Sequence, residues 1–198
     1  MIHSIKVRAA LAAFILGVLA IPAQAAIIIS EVDPSGSGNS AYSADWFELT
    51  NTGSSAVNIS GWKMDDNSNS FALSVALNGV SSINAGQSVV FIETSNLATT
   101  QTAFINAWFG GNAPAGFTMG SYNGSGVGLS TTTDAVNIFD SLGTLITRVD
   151  FNAATSTRTF DNAQGLNNVV ISQLSTAGVN GAFLSAAANG EIGSPGAI

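Results

Sequence analysis

Glu31 and Glu48 are the residues whose types most invite a catalytic reading. Each sits in a stretch with strand-like alternation, and paired carboxylates can run glycoside hydrolysis. The plainer alternative is that one of them meets Arg148 or Lys63 in an edge ion pair, which contributes little. A second acidic set, Asp33, Asp45, Asp65 and Asp66, offers the hard oxygen ligands that calcium takes from flexible loops. Asp65, Asn67 and Asn69 present oxygens at alternate positions. Ser70 and Ala76, however, stand where an EF-hand loop needs glycine and a bidentate Glu. The competing reading is a solvated acidic turn. A third constellation is aromatic. Trp108, Phe109, Phe117 and Tyr122 flank a helix and a long loop, where contact surfaces concentrate. Trp62, beside Gly61 on a strand, reads as core, and Trp46 points away from Phe47 and Leu49.

Other chemistries lack their residues. The chain has no Cys, and its single His is His3. Lys6 and Arg8 precede a continuous apolar run over residues 9–21, too short for the roughly 20 residues of a membrane span. Pro22 breaks the run, and Ala23-Gln24-Ala25 has the form of a signal-peptidase site. Residues 1–25 therefore read as a signal peptide cleaved before Ala26, which removes His3. What remains, 26–198, has no imidazole or thiol for nucleophilic catalysis or for zinc. Elbow, phosphate-loop and dinucleotide fingerprints are absent as well. The expectation is a protein that is not an enzyme and carries no resident cofactor.

Charge narrows the partners. After removal of Lys6 and Arg8, only Lys63, Arg148 and Arg158 oppose twelve carboxylates. Three scattered cations cannot release counterions from a nucleic-acid duplex, and they do not favour an anionic membrane surface. No membrane insertion is expected after cleavage.

The elements that must position these residues are short strands. In Asp45-Trp46-Phe47-Glu48-Leu49-Thr50-Asn51 the side chains alternate with the period of a half-buried strand. A polar turn follows, then Val57-Asn58-Ile59 and Ser60-Gly61-Trp62. Further strands are expected at residues 26–32, 71–73, 80–83, 88–93, 128–130, 135–139, 145–151, 155–161 and 169–172. Residues 33–40 read as a flexible loop. Residues 99–109 place Ala103, Phe104, Ala107 and Trp108 at helical spacing, ended by Gly110-Gly111. Residues 112–126 read as a long inserted loop. The class is all-β, in one domain.

Several stretches resemble the lamin tail domain in its bacterial secreted form. They are Asp45-Trp46-Phe47-Glu48-Leu49-x-Asn51 and Ile59-Ser60-Gly61-Trp62-Lys63-Met64-x-Asp66, supported by Ile29-Ser30-Glu31-Val32, Ile83-Asn84-Ala85-Gly86-Gln87, Asp134-Ala135-Val136-Asn137-Ile138-Phe139-Asp140-x-x-Gly143 and Ser194-Pro195-Gly196. The resemblance implies an immunoglobulin-like antiparallel β-sandwich, here with one short helix and a long loop inserted, and it brings no catalytic residues. Lamin tails elsewhere are associated with chromatin; the charge of this chain argues against carrying that over. The function expected is a secreted, periplasmic or extracellular binding, adhesion or structural module for a protein or polysaccharide. The alternatives are a calcium-dependent binding module and, more distantly, a carboxylate hydrolase.

Overall fold

The computed structural model describes residues 27–188 and 190–198. The expected signal peptide, with Lys6, Arg8 and His3, lies outside the described residues, as do Ala26 and Asn189. No helix among the described residues is long and apolar enough to cross a membrane.

Strands form where apolar side chains alternate, and two helices interrupt them. In chain order they are β1 (Ile27–Asp33), α1 (Gly36–Asn39), β2 (Trp46–Asn51), β3 (Val57–Asn58), β4 (Lys63–Asp65), β5 (Val75–Ala76), β6 (Ser82–Ile83) and β7 (Ser88–Glu93). There follow α2 (Leu97–Phe109), β8 (Met119–Tyr122), β9 (Asp134–Phe139), β10 (Leu145–Phe151), β11 (Phe160–Asp161), β12 (Val170–Ile171), β13 (Phe183–Leu184) and β14 (Ile192–Gly193). Two five-stranded sheets, in the orders β11-β1-β2-β7-β8 and β12-β10-β9-β4-β5, pack face to face as an immunoglobulin-like sandwich. Between them lie Ile29, Val32, Phe47, Leu49, Val89 and Phe91 from the first sheet and Met64, Val136, Ile138, Val149 and Phe151 from the second. Trp62 joins this core, as its position beside Gly61 suggests.

The sheets are not purely antiparallel, which corrects the expectation. β8 runs parallel to β7, and β12 runs parallel to β10. β8 lies inside the stretch expected to be loop, which is therefore shorter than the sequence implied. The stretches at 71–73 and 128–130 are turns and irregular backbone, not strands. Residues 33–40 contain one helical turn.

The fold departs most from a plain sandwich on the outer face of the first sheet. A second apolar cluster fills that face: Trp46, Val90 and Ile92 from the strands, Phe104, Ala107 and Trp108 from α2, with Tyr42 and Met119. Trp46 meets Phe104 and Trp108 edge to face at 5.8 and 6.0 Å. The Asn96 side chain caps α2 by accepting from Thr99 N at 3.3 Å, and Gly110 ends it in the left-handed region at φ 59°. Beside α2 the C-terminal segment, with β13 and β14, lies over the same face. Phe183 sits 5.7 Å from the Trp108 ring. A side chain at Gly193 would place its Cβ 2.6 Å from Glu31 Oε1 and 2.9 Å from the Trp108 ring, so only glycine lets β14 approach this closely.

Candidate functional site

A β-bulge at Ser30 sets up the acidic layer. Ile29 pairs with Leu49, and Glu31 pairs with Glu48, so Ser30 is the extra residue. The bulge turns both Ser30 and Glu31 outward beside Glu48 while keeping Ile29 and Val32 in the core. On an open sandwich this face would be wet. Here the C-terminal segment seals it, and Glu31 and Glu48 are wholly buried.

Both carboxyls are provided with donors. Glu31 Oε1 accepts from Thr159 Oγ1 at 2.5 Å and from the Ser194 amide at 2.8 Å, and its Oε2 accepts from Ser194 Oγ at 3.2 Å. Ser175 Oγ lies 2.6 Å behind Thr159 Oγ1. Glu48 Oε2 accepts from the Gly196 amide at 2.5 Å, and its Oε1 accepts from Ser30 Oγ at 2.7 Å. Ser30 then has no further proton, so Thr50 donates to it and Ser88 donates to Thr50, at 2.8 and 2.6 Å. Three hydroxyls in a row thus aim at one carboxylate. Burial, with Glu48 opposite, pushes the Glu31 carboxyl well above the ordinary range. Burial raises Glu48 to about 7 against its hydrogen bonds.

A second acidic knot lies at the end of the same sheet. Tyr42 Oη is 3.1 Å from both Asp33 Oδ2 and Glu191 Oε2, and it accepts from Trp46 Nε1 at 3.0 Å. One phenolic proton cannot serve both carboxyls, so one of them holds a proton itself. Burial and the neighbouring Asp33 raise Glu191 to about 8. Asp33 is raised by burial, against donation from Ser35 N and Oγ.

Among the described residues no cation relieves these acids. Lys63 stands over the Phe71 ring at 4.7 Å. Arg148 pairs with Asp150 at 2.5 Å and donates to Asn137. Arg158 donates to the Ser175 carbonyl. The expected edge ion pair for Glu31 or Glu48 therefore does not form. Both acids are sealed from solvent; the nearest concavity, lined by Ser88, Phe117 and Gly196, lies on the far side of the groups that hydrogen-bond to Glu48.

The expected metal set does not converge. Asp33 and Asp45 flank the α1 loop on the first sheet, and Asp45 Oδ1 takes the Ser37 amide at 2.7 Å. Asp65 lies on the second sheet, with Asp66 directly after it. Asp65 Oδ2 accepts from Ser68 Oγ and Ser70 N at 2.7 and 2.6 Å, and Asp66 Oδ1 accepts from Ser68 N. These hydrogen bonds build turns, and Asp65 Oδ1 is left buried without a hydrogen-bond partner. Among the described residues, no group of three or more metal-ligating side chains converges.

The expected aromatic surface is corrected too. Trp108 and Tyr122 are 1% and 0% exposed and belong to different cores, Trp108 under α2 and Tyr122 between the sheets against Phe47. Periodicity placed Trp108 on the apolar stripe of α2 but could not show that a sheet face lay beneath it. Phe109 and Phe117 remain half-buried, 5.0 Å apart. Nothing brings the four into one exposed patch.

One small concavity of mixed lining escaped the sequence reading. Asp161, Ala163, Gln164, Leu166, Gln173 and Asn180 wall a cavity of about 150 Å³ at the β11 edge. Its residues are scattered over some twenty positions with no periodicity to betray them.

A family model described as Lamin Tail Domain matches residues 20–153. No curated protein is matched by the chain. The matched span ends just after β10. The segment that seals the acids and the β11 concavity both lie beyond it.

Proposed function

The chain belongs to the lamin tail domain family, and from that premise we propose that it is an exported, non-catalytic binding module. Its partner is another exported protein or an envelope or extracellular polysaccharide. The observation that carries this reading is the fate of the acids. Glu31, Glu48, Asp33 and Glu191 are the groups best placed by type to transfer protons, and all four are buried and engaged with the protein's own donors. A scaffold that uses its acids to hold itself together is left with recognition as its work.

Export is supported by the basic start, the short apolar run and the Ala23-Gln24-Ala25 site. A non-nucleic-acid partner is supported by the cations: Lys63, Arg148 and Arg158 are each engaged internally and form no patch. The test is capture. The immobilised protein is offered secreted proteins, envelope fractions and extracellular polysaccharide. Selective retention of one component is expected. Retention of nothing from any fraction, or release of reducing ends from a polysaccharide, overturns the reading.

A further inference from the structure

Resting on that reading, we propose that the concavity at the β11 edge is a subsite for one neutral sugar residue at the end of a polysaccharide chain. The argument starts from what its walls leave free. Asp161, which lines the cavity, accepts at Oδ1 from the Ala163 amide and at Oδ2 from Asn180 Nδ2, both at 2.9 Å, so each carboxylate oxygen keeps a lone pair for a further donor. Asn180 retains its carbonyl oxygen. Gln173 spends only its NH₂ group, on the Leu174 carbonyl at 3.0 Å. The Gln164 amide forms no hydrogen bond within the protein, and both its ends are free. Acceptors therefore predominate around one small space, with the Gln164 NH₂ group as the free donor beside them.

The chemistry of these walls selects the ligand. A carboxylate with no cation near it repels anions. No aromatic ring lines the cavity, so a flat base or ring gains no stacking platform. A lone carboxylate is too few ligands for a hard cation. The group that both donates and accepts on adjacent atoms is the vicinal diol of a neutral sugar. Leu166, 47% exposed, and Ala163 supply an apolar wall for its C–H face. At about 150 Å³ the cavity lies below the range of roughly 300–1,000 Å³ typical of drug-sized sites, so it takes one residue and not an oligosaccharide.

The walls are held in place before any ligand arrives. Asn162 Nδ2 donates to the Ile29 and Leu166 carbonyls, and its Oδ1 accepts from the Leu166 amide, which pins the 162–166 turn to β1. Asn180 sits in the left-handed region at φ 46°, and Gly181 follows at 73°, which aims the Asn180 amide at Asp161. Such preorganisation lowers the cost of binding. With no ring to stack on, a single residue binds weakly, in the millimolar range.

The experiment follows backbone amide shifts by ¹H–¹⁵N correlation while methyl glucoside, galactoside, mannoside and N-acetylglucosaminide are added to about 20 mM, a range suited to millimolar binding. At least one neutral glycoside is expected to move the amides of residues 161–180, and methyl glucuronide is expected to move none. The double variant Gln164→Ala/Gln173→Ala removes two amides that hold no distant part of the fold. It should weaken that binding about tenfold or more with an unchanged Tm, since both lost groups address ligand hydroxyls. The proposal is overturned if no neutral glycoside moves these amides, if the moved amides lie elsewhere, if glucuronide binds equally, or if the double variant binds as well as the parent. If the double variant still captures the component retained by the parent protein, this subsite falls while the binding-module reading stands. Failure of the parent to capture anything takes the broader reading down instead.

Discussion

Glu48 connects two ends of the chain. Its Oε2 receives the Gly196 amide and its Oε1 receives Ser30 Oγ, across 148 and 18 residues. Substituting Glu48→Ala strands both donors in a dry site, at about 1–3 kcal/mol for each unsatisfied group. Glu48→Gln keeps an acceptor oxygen and removes the charge that burial disfavours. Calorimetry should therefore find Glu48→Ala clearly less stable than the parent. Glu48→Gln should come close to the parent at pH 8, where the parent carries its buried charge. Equal losses in both variants would show that the site requires the carboxylate itself, with both its oxygens accepting, and not merely a side chain of that shape.

Among the elements, the C-terminal segment has the largest consequence for the site. β13 and β14 cover Trp108, Glu31 and Glu48, and the contact with Gly193 leaves no room for a side chain. Deleting residues 182–198 should uncover the second apolar cluster. The shortened protein is expected to bind a hydrophobic dye and to lose several kcal/mol of stability, as apolar area of this kind is worth about 25 cal/mol per Å². Unchanged dye binding would mean the segment is an ornament. The main ladders were legible in the sequence: β2, β7, β9 and β10 follow their apolar alternation, and α2 follows its helical spacing and glycine stop. β8 was not. Met119-Gly120-Ser121-Tyr122 has no alternation of its own and becomes a strand only because β7 offers an edge to pair with. The burial of Glu31 and Glu48 was equally hidden. Their strand alternates as if one face were wet, and the cover arrives from residues far along the chain. The wrong placement of Trp108 and Tyr122 has the same origin: composition marks them as contact residues, but tertiary packing decides which face is outside.

At the scale of the whole molecule, the acids reverse the usual dependence of stability on pH. Burial raises Glu31, Glu48, Asp33, Glu191 and Asp45, with Glu48 at about 7, Glu191 at about 8 and Asp45 at about 6. A carboxyl whose folded value lies above its unfolded one binds its proton more tightly in the folded state. Its contribution is complete below the ordinary carboxyl range near 4 and is lost as pH rises through the folded value. Asp140 is lowered by the Thr144 and Leu142 amides and works the other way, but it lies at the surface in a two-strand turn. Stability should therefore be greatest on the acid side and decline between about pH 4 and pH 8.

These carboxyls are interior groups that the fold holds with their protons on. The melting temperature between pH 5 and pH 8.5, for the parent and for Glu191→Gln, tests this most directly. A fall of several degrees is expected for the parent, at roughly 2–4 °C per kcal/mol for a chain of this size, and a smaller fall for the variant. A melting temperature that holds steady or climbs over that interval would contradict it.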